Sequence, residues 1–322
     1  MSLLAHLAAA LAWLGRHGTR AVAASIFLGL ALPQLAATFK PYLTPAIFVL
    51  LVLAFLRVDP RALGGYFARP RLILAASLWM MLATPAALGV LFVVLGVREA
   101  SPELYLGLVL QASSAPIMAA PAFAALMGLD AALSLAALML CMLLTPLSAP
   151  LFVHLFAGDT LAIAPTTLAL KLFVLLFGSA GIAWIIRRMA GTPWVERQRE
   201  RVDGLNVITL FVFAIAIMDG VAALLWAHPL FVLGITLLAF AFALGNVLLT
   251  TLVFAPAAGR ERAFALGLAA GNRNMGLMLA ATGGVLPDVT WLYFALAQFP
   301  IYLLPQLLLP LARRIAPKDG ER

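Results

Sequence analysis

A chain of 322 residues that is 64% hydrophobic and only 11% charged is excluded from the soluble globular class. Its mean hydropathy of +1.07 is that of a protein that crosses a bilayer many times. The net charge of +8 does not point to nucleic acid, because basic residues at loop level are what orients a chain in a membrane. The single cysteine, Cys141, lies in an apolar run and forms no internal disulfide.

From the N-terminus, Met1 to Leu14 is apolar, with no cation before it and Arg16, His17 and Arg20 after it. That order is the reverse of a cleaved signal peptide. Leu4, Leu7, Leu11 and Leu14 share one helical face, so residues 1–19 are expected to form an interfacial helix. Ten apolar stretches then follow, at 20–38, 41–57, 70–96, 103–126, 130–156, 163–188, 203–226, 229–253, 262–285 and 288–312. The second is the shortest, and Pro85, Pro116, Pro121, Pro146 and Pro150 imply kinked helices. The polar stretch 191–202 divides the spans into two halves of five, 20–190 and 203–312, and leaves a tail at 313–322.

Charge tests this count separately. With the N-terminus inside, seventeen of the 21 basic residues fall on the cytoplasmic side and only Lys40 and Arg98 outside. Lys171 and Arg273 lie within spans. The bias predicts an all-α multi-pass membrane protein with both termini cytoplasmic, and eighteen arginines against three lysines point to a bacterial inner membrane. Because five is odd, a duplicated half must be inserted upside down, giving two inverted five-helix repeats. The fourth span starts Leu106-Gly107-Leu108 and the ninth Leu266-Gly267-Leu268, and each soon meets polar or helix-breaking residues. Asp130 and Asp288 close the two spans at similar distances.

The deepest anomaly is Gly271-Asn272-Arg273-Asn274-Met275-Gly276. Arg273 lies eleven residues past Arg262, about 16 Å at helical rise and near the bilayer midplane. A charge there costs at least ~2.5–3.5 kcal/mol, so such residues face a cavity or a partner. Discontinuous helices 4 and 9 crossing at these breaks would present unpaired backbone groups to a small ion or polar substrate. The candidate substrate-binding residues are Gln111, Ser113, Ser114 and Pro116 in the first break, and Gly271, Asn272, Arg273 and Asn274 in the second. The bland alternatives are that Ser113 and Ser114 bond back to their own turn, and that Gly107, Gly267 and Gly276 are close-packing residues.

Asp219 lies sixteen residues past Asp203, about 24 Å along a helix. Its depth suits Lys171 as partner, with an extended Arg273 also in reach, and its role is a structural counter-ion, a proton carrier or both. Asn246, Gln298 and Gln306 are expected to bond from helix to helix. An enzyme finds no support: there is no metal-binding His-Glu-x-x-His, no nucleophile elbow and no phosphate-cradling loop. His6, His17, His154 and His228 share no ligand spacing, and no cofactor is implied.

This layout resembles the bile acid:sodium symporter family along residues 20 to 312. The resemblance rests on the ten spans, the two broken helices, the pattern Gly271, Asn274, Gly276, Leu277, and the run Leu129 to Ser134 after the fourth span. It implies core and panel domains and a carboxylate-type organic anion bound beside the crossing helices. The departures concentrate at the positions that the resemblance assigns to sodium. A ninth-span glutamate is here Ala269, a glutamine is Arg273, and a third-span glutamine five residues before a proline is Met80 before Pro85. A serine-asparagine pair falls on Ala120 and Pro121; in the fifth span Ser134 matches and Leu138 does not. A guanidinium offers sodium no oxygen. The expected function is a secondary transporter of a small organic anion or amphipathic carboxylate, by alternating access, without the family's usual sodium sites. Asp219 and Ser134 are the candidate ion- or proton-coupling residues. The alternatives are a sodium-coupled symporter using other ligands, and a non-transporting receptor or assembly subunit.

Overall fold

Long runs of Leu, Ala, Val and Phe leave a chain in lipid one local way to pair its backbone, the α-helix. The computed structural model describes residues 26–58, 70–158 and 160–315, and these are helical with no strand among them. The interfacial helix expected at 1–19 lies outside the described residues. In chain order, a helix visible from residue 26 stops at 31, and α1 (Pro33–Phe39) runs through a 3-10 turn (Lys40–Tyr42) into α2 (Leu43–Arg57). Then come α3 (Pro70–Leu78), a π-turn (Trp79–Ala83), α4 (Thr84–Val94), α5 (Val97–Ala100), α6 (Pro102–Ser113), α7 (Ala120–Leu126) and α8 (Ala131–Ala157). They are followed by α9 (Pro165–Ala190), α10 (Thr192–Arg197), α11 (Arg199–Ala216), α12 (Val221–Ala227) and α13 (Pro229–Ala258). The last are α14 (Arg260–Gly271), α15 (Met275–Thr282), α16 (Asp288–Leu296), α17 (Gln298–Leu307) and α18 (Leu309–Ile315).

Six of these continuous stretches are long and apolar enough to cross a membrane, or seven if the bent run from Asp288 to Ile315 is one span. The other stretches of the sequence are shorter for identifiable reasons. The fourth is divided into α6 and α7, the ninth into α14 and α15, and the first is described only from residue 26. The boundary between the first two also differs from expectation: the chain leaves helical geometry at Leu32, not at residues 39–40. Proline pushes the residue before it out of the α region, and Leu32, before Pro33, obeys with φ −123° and ψ 74°. Lys40, before Pro41, stays helical, because a tighter 3-10 turn carries the chain past the proline. Pro146 and Pro150 likewise lie inside one continuous helix, α8.

The described residues divide into two compact units that do not follow the two sequence halves. Among the described residues, those at 26–58 and Phe173–Val232 form one, and those at 70–172 and 233–315 the other. In the first, α11 packs along α1 and α2, and a Cβ on Gly29 would stand 2.9 Å from the Ile215 backbone. Arg187 donates through Nη2 to the carbonyls of Leu56 and Val58, closing the end of α2. The second unit is built around α8, the most buried of the long helices, which packs on α3, α6, α7 and α14. By contrast α9 turns Leu170, Phe173, Val174, Phe177 and Trp184 outward, an apolar face suited to lipid.

Three ion pairs among the described residues tie helix ends within the units, Arg57 with Asp203 at 3.0 Å among them. Asp130 accepts from the Leu133 N–H as the cap of α8 and pairs with Arg262 at 3.3 Å, joining the starts of α8 and α14. In the other unit Lys40 Nζ lies 2.8 Å from Asp219 Oδ2. Asp219 thus has Lys40 as a partner, where Lys171 or Arg273 was expected. Gly220, at φ +78°, follows Asp219 in the turn after α11 and leads the chain into α12.

Paired helix breaks and the buried guanidinium

A helix interrupted inside a membrane exposes carbonyls at the end of one half and amides at the start of the next. Here two interruptions in the larger unit satisfy each other. Helix α6 ends at Ser113 and Ser114 is extended; α14 ends at Gly271 and Asn272 is extended. Pro116 and Arg273 then lie opposite one another in a short antiparallel bridge. The Ile117 N–H donates to Asn272 O at 2.7 Å, and the Asn274 N–H to Ala115 O at 2.8 Å. Pro116 has no N–H, so it adds no donor of its own to the pairing. Asn274 restarts the second helix by accepting the Leu277 N–H on its side chain at 3.0 Å.

Arg273 is fully buried beside this bridge. Its Nε donates to Ala270 O at 2.7 Å, and its Nη1 to Met80 O at 3.0 Å and Ser114 O at 2.9 Å. The three carbonyls come from α14, the π-turn and the end of α6. Each is free for a local reason. Ala270 and Ser114 sit at helix C-termini, where carbonyls lack intrahelical donors. In the π-turn the Thr84 N–H reaches back to Trp79 O, and Pro85 has no N–H to offer Met80. The electrostatics are consistent with this geometry. Each C-terminus carries roughly −0.5 charge, so α6 and α14 together offset about one positive charge without a carboxylate.

The remaining candidates take distinct places. Gln111 accepts from the Tyr293 hydroxyl through Oε1, and its Nε2 is buried without a partner. Ser114 Oγ bonds back to Gln111 O at 2.9 Å, whereas Ser113 Oγ is buried and unpaired. Asn272 donates through Nδ2 to Leu268 O at 2.8 Å, leaving Oδ1 unpaired. Gly271 has a packing role: a Cβ there would stand 2.6 Å from Ala243 O, and one on Gly267 2.6 Å from Val247 O. These two glycines let α14 lie directly against α13. Ser134 is buried on α8 with an unpaired hydroxyl, and Asp219 belongs to the other unit.

Asn246 and Gln298 depart from expectation, since each donates to its own helix, to Phe242 O and Phe294 O four residues back. Gln306 is exposed. Met80, Ala270 and Tyr293 are participants that side-chain chemistry did not single out. In an α-helix Pro85 would free the carbonyl of Met81; the π-turn moves that gap to Met80.

A family model described as the sodium bile acid symporter family matches residues 44–228, more than half of the chain. The chain belongs to that family. A search of curated proteins returned no significant match. Members of the sodium bile acid symporter family are transporters, and this one is a multi-pass membrane protein with a transporter's fold class. The matched residues include Met80 and the first helix break; the second break and Arg273 lie beyond them.

Proposed function

We propose that this symporter-family chain is a secondary transporter for a small organic anion or amphipathic carboxylate, in which Arg273 stands as a tethered cation where relatives hold a coupling sodium. The observation that carries this is the set of three carbonyls, Ala270, Met80 and Ser114, each engaged by the guanidinium. Hard cations are held by oxygen ligands. Here the carbonyl oxygens already accept N–H groups, and the side chains at the resembling positions, Ala269 and Met80, supply no oxygen. The charge moves with the protein, so the site is filled throughout the transport cycle. Ten spans in two inverted repeats, with both ends cytoplasmic in a bacterial inner membrane, form the scaffold for alternating access about the paired breaks. Asp219 and Ser134 are the candidates for coupling to an ion or proton.

The test is uptake of labelled pyruvate, pantoate and taurocholate into liposomes carrying the purified protein, with sodium replaced by choline. Uptake of any of them that is unchanged in choline supports the proposal. Uptake abolished by choline establishes ordinary sodium coupling through other ligands. Saturable binding of one of them with no uptake would instead make the chain a receptor.

A further inference from the structure

A guanidinium has five N–H groups. In Arg273 three are engaged, one on Nε and two on Nη1. Nη2 is buried and has no partner among the described residues. Buried donors are nearly always paired, so a fully enclosed pair of N–H groups on a charged nitrogen calls for an acceptor.

The segments that hold the guanidinium carry further unpaired atoms. Thr84 Oγ1 is one turn beyond Met80, Ser113 Oγ is beside Ser114, and Gln111 Nε2 is one turn before it. Two of these are hydroxyls, able to donate and to accept, and the third is a donor only. Asn272 Oδ1 only accepts, and it makes no bond to Arg273. With Nη2 included, the segments that hold the fixed positive charge carry four unpaired groups able to donate and one that only accepts.

We propose that Nη2 is the seat of the substrate's carboxylate, with Ser113, Thr84 and Gln111 completing its donors. This rests on the transporter assignment above and deepens it: one guanidinium is divided between two duties. Nε and Nη1 hold the helix breaks, and Nη2 binds cargo. Full burial restricts the group that reaches Nη2 to a small planar anion head, which a carboxylate is. The division also explains the residue type. A lysine ammonium has three N–H groups, enough for the three carbonyls with none left over, whereas arginine has two to spare.

The test uses the full chain in nanodiscs, with formate and acetate as probes and sodium chloride as the control at equal ionic strength. A ligand that binds only the folded state raises the melting midpoint with its concentration. Formate and acetate are expected to raise the midpoint of the native chain, and chloride is not. Arg273→Lys is expected to weaken formate at least tenfold while its unliganded midpoint stays near native. Should that variant not fold, the double variant Ser113→Ala with Thr84→Val keeps Arg273 and is expected to weaken formate about threefold or more. A native midpoint indifferent to formate and acetate overturns the seat, as does an equal response to chloride or a native-like response in the folded variants. If that happens while liposome uptake persists, the transporter assignment survives without this seat. If formate binds but no uptake is found, the transporter assignment is what fails.

Discussion

Replacing Arg273 by Met removes every donor from the three carbonyls while keeping an unbranched side chain. Each buried acceptor left without a partner costs ~1–3 kcal/mol, so three cost about 6 kcal/mol at the middle of that range. Against this, the variant no longer buries a cation, which offsets ~2.5–3.5 kcal/mol on insertion scales. The net expectation is a loss of about 3 kcal/mol, a sizeable share of the ~5–15 kcal/mol that holds an ordinary domain together. The assay is unfolding in mixed micelles by SDS titration, followed by tryptophan fluorescence. Arg197→Met, at an exposed position, serves as the control and is expected to change nothing. An Arg273→Met chain as stable as the native one, within about 0.5 kcal/mol, would refute the role given to the guanidinium. It would mean that the carbonyls find other donors without it.

Three further outcomes are expected. Gly271→Ala places a methyl 2.6 Å from Ala243 O, a backbone atom that cannot turn aside, and should cost ~1–3 kcal/mol in the same titration. Combining Ala269→Glu, Arg273→Gln and Met80→Gln restores a carboxylate and two amides at the positions that resemble sodium ligands. Sodium should then raise the melting midpoint of the triple variant but not of the native chain; identical responses would remove Arg273 from any role in excluding sodium. Asp219→Asn leaves Lys40 without its partner at 2.8 Å, a half-exposed pair worth at most ~1 kcal/mol. If Asp219 carries protons, uptake driven by an imposed pH gradient falls with it, and an unaltered pH response excludes Asp219 from coupling.

The helix breaks were legible because glycine, proline and amides are conspicuous in a chain that is otherwise Leu, Ala and Phe. Arg273 was legible for the same reason, since a midplane charge has to be explained. Its partners were not, because they are main-chain oxygens, and a carbonyl carries no residue-type signal. Met80 shows the limit: nothing about methionine announces a bond, and the missing N–H of Pro85 frees the Met80 oxygen only because the π-turn shifts the pairing by one residue. The pairing of Asp219 with Lys40 was hidden differently. The apolar stretches 20–38 and 41–57 leave Lys40 in a gap between spans, but the turn at Lys40–Tyr42 continues the helix and places Lys40 alongside the end of α11. Asn246 and Gln298 illustrate a third reason, that a polar side chain in lipid can satisfy itself on its own helix as readily as on a neighbour.

The two bonds that join Ala115 to Asn274 and Ile117 to Asn272 also set an order of events during synthesis. About 160 residues separate the partners, so at ribosomal rates the first break waits roughly 8–30 s for the second to be made. Through that interval its carbonyls face lipid, water or the insertion machinery, and the half-built chain is a substrate for quality control. Nascent chains stalled before Gly271 should therefore be degraded faster than chains released just after Thr282, although both carry all of the earlier spans.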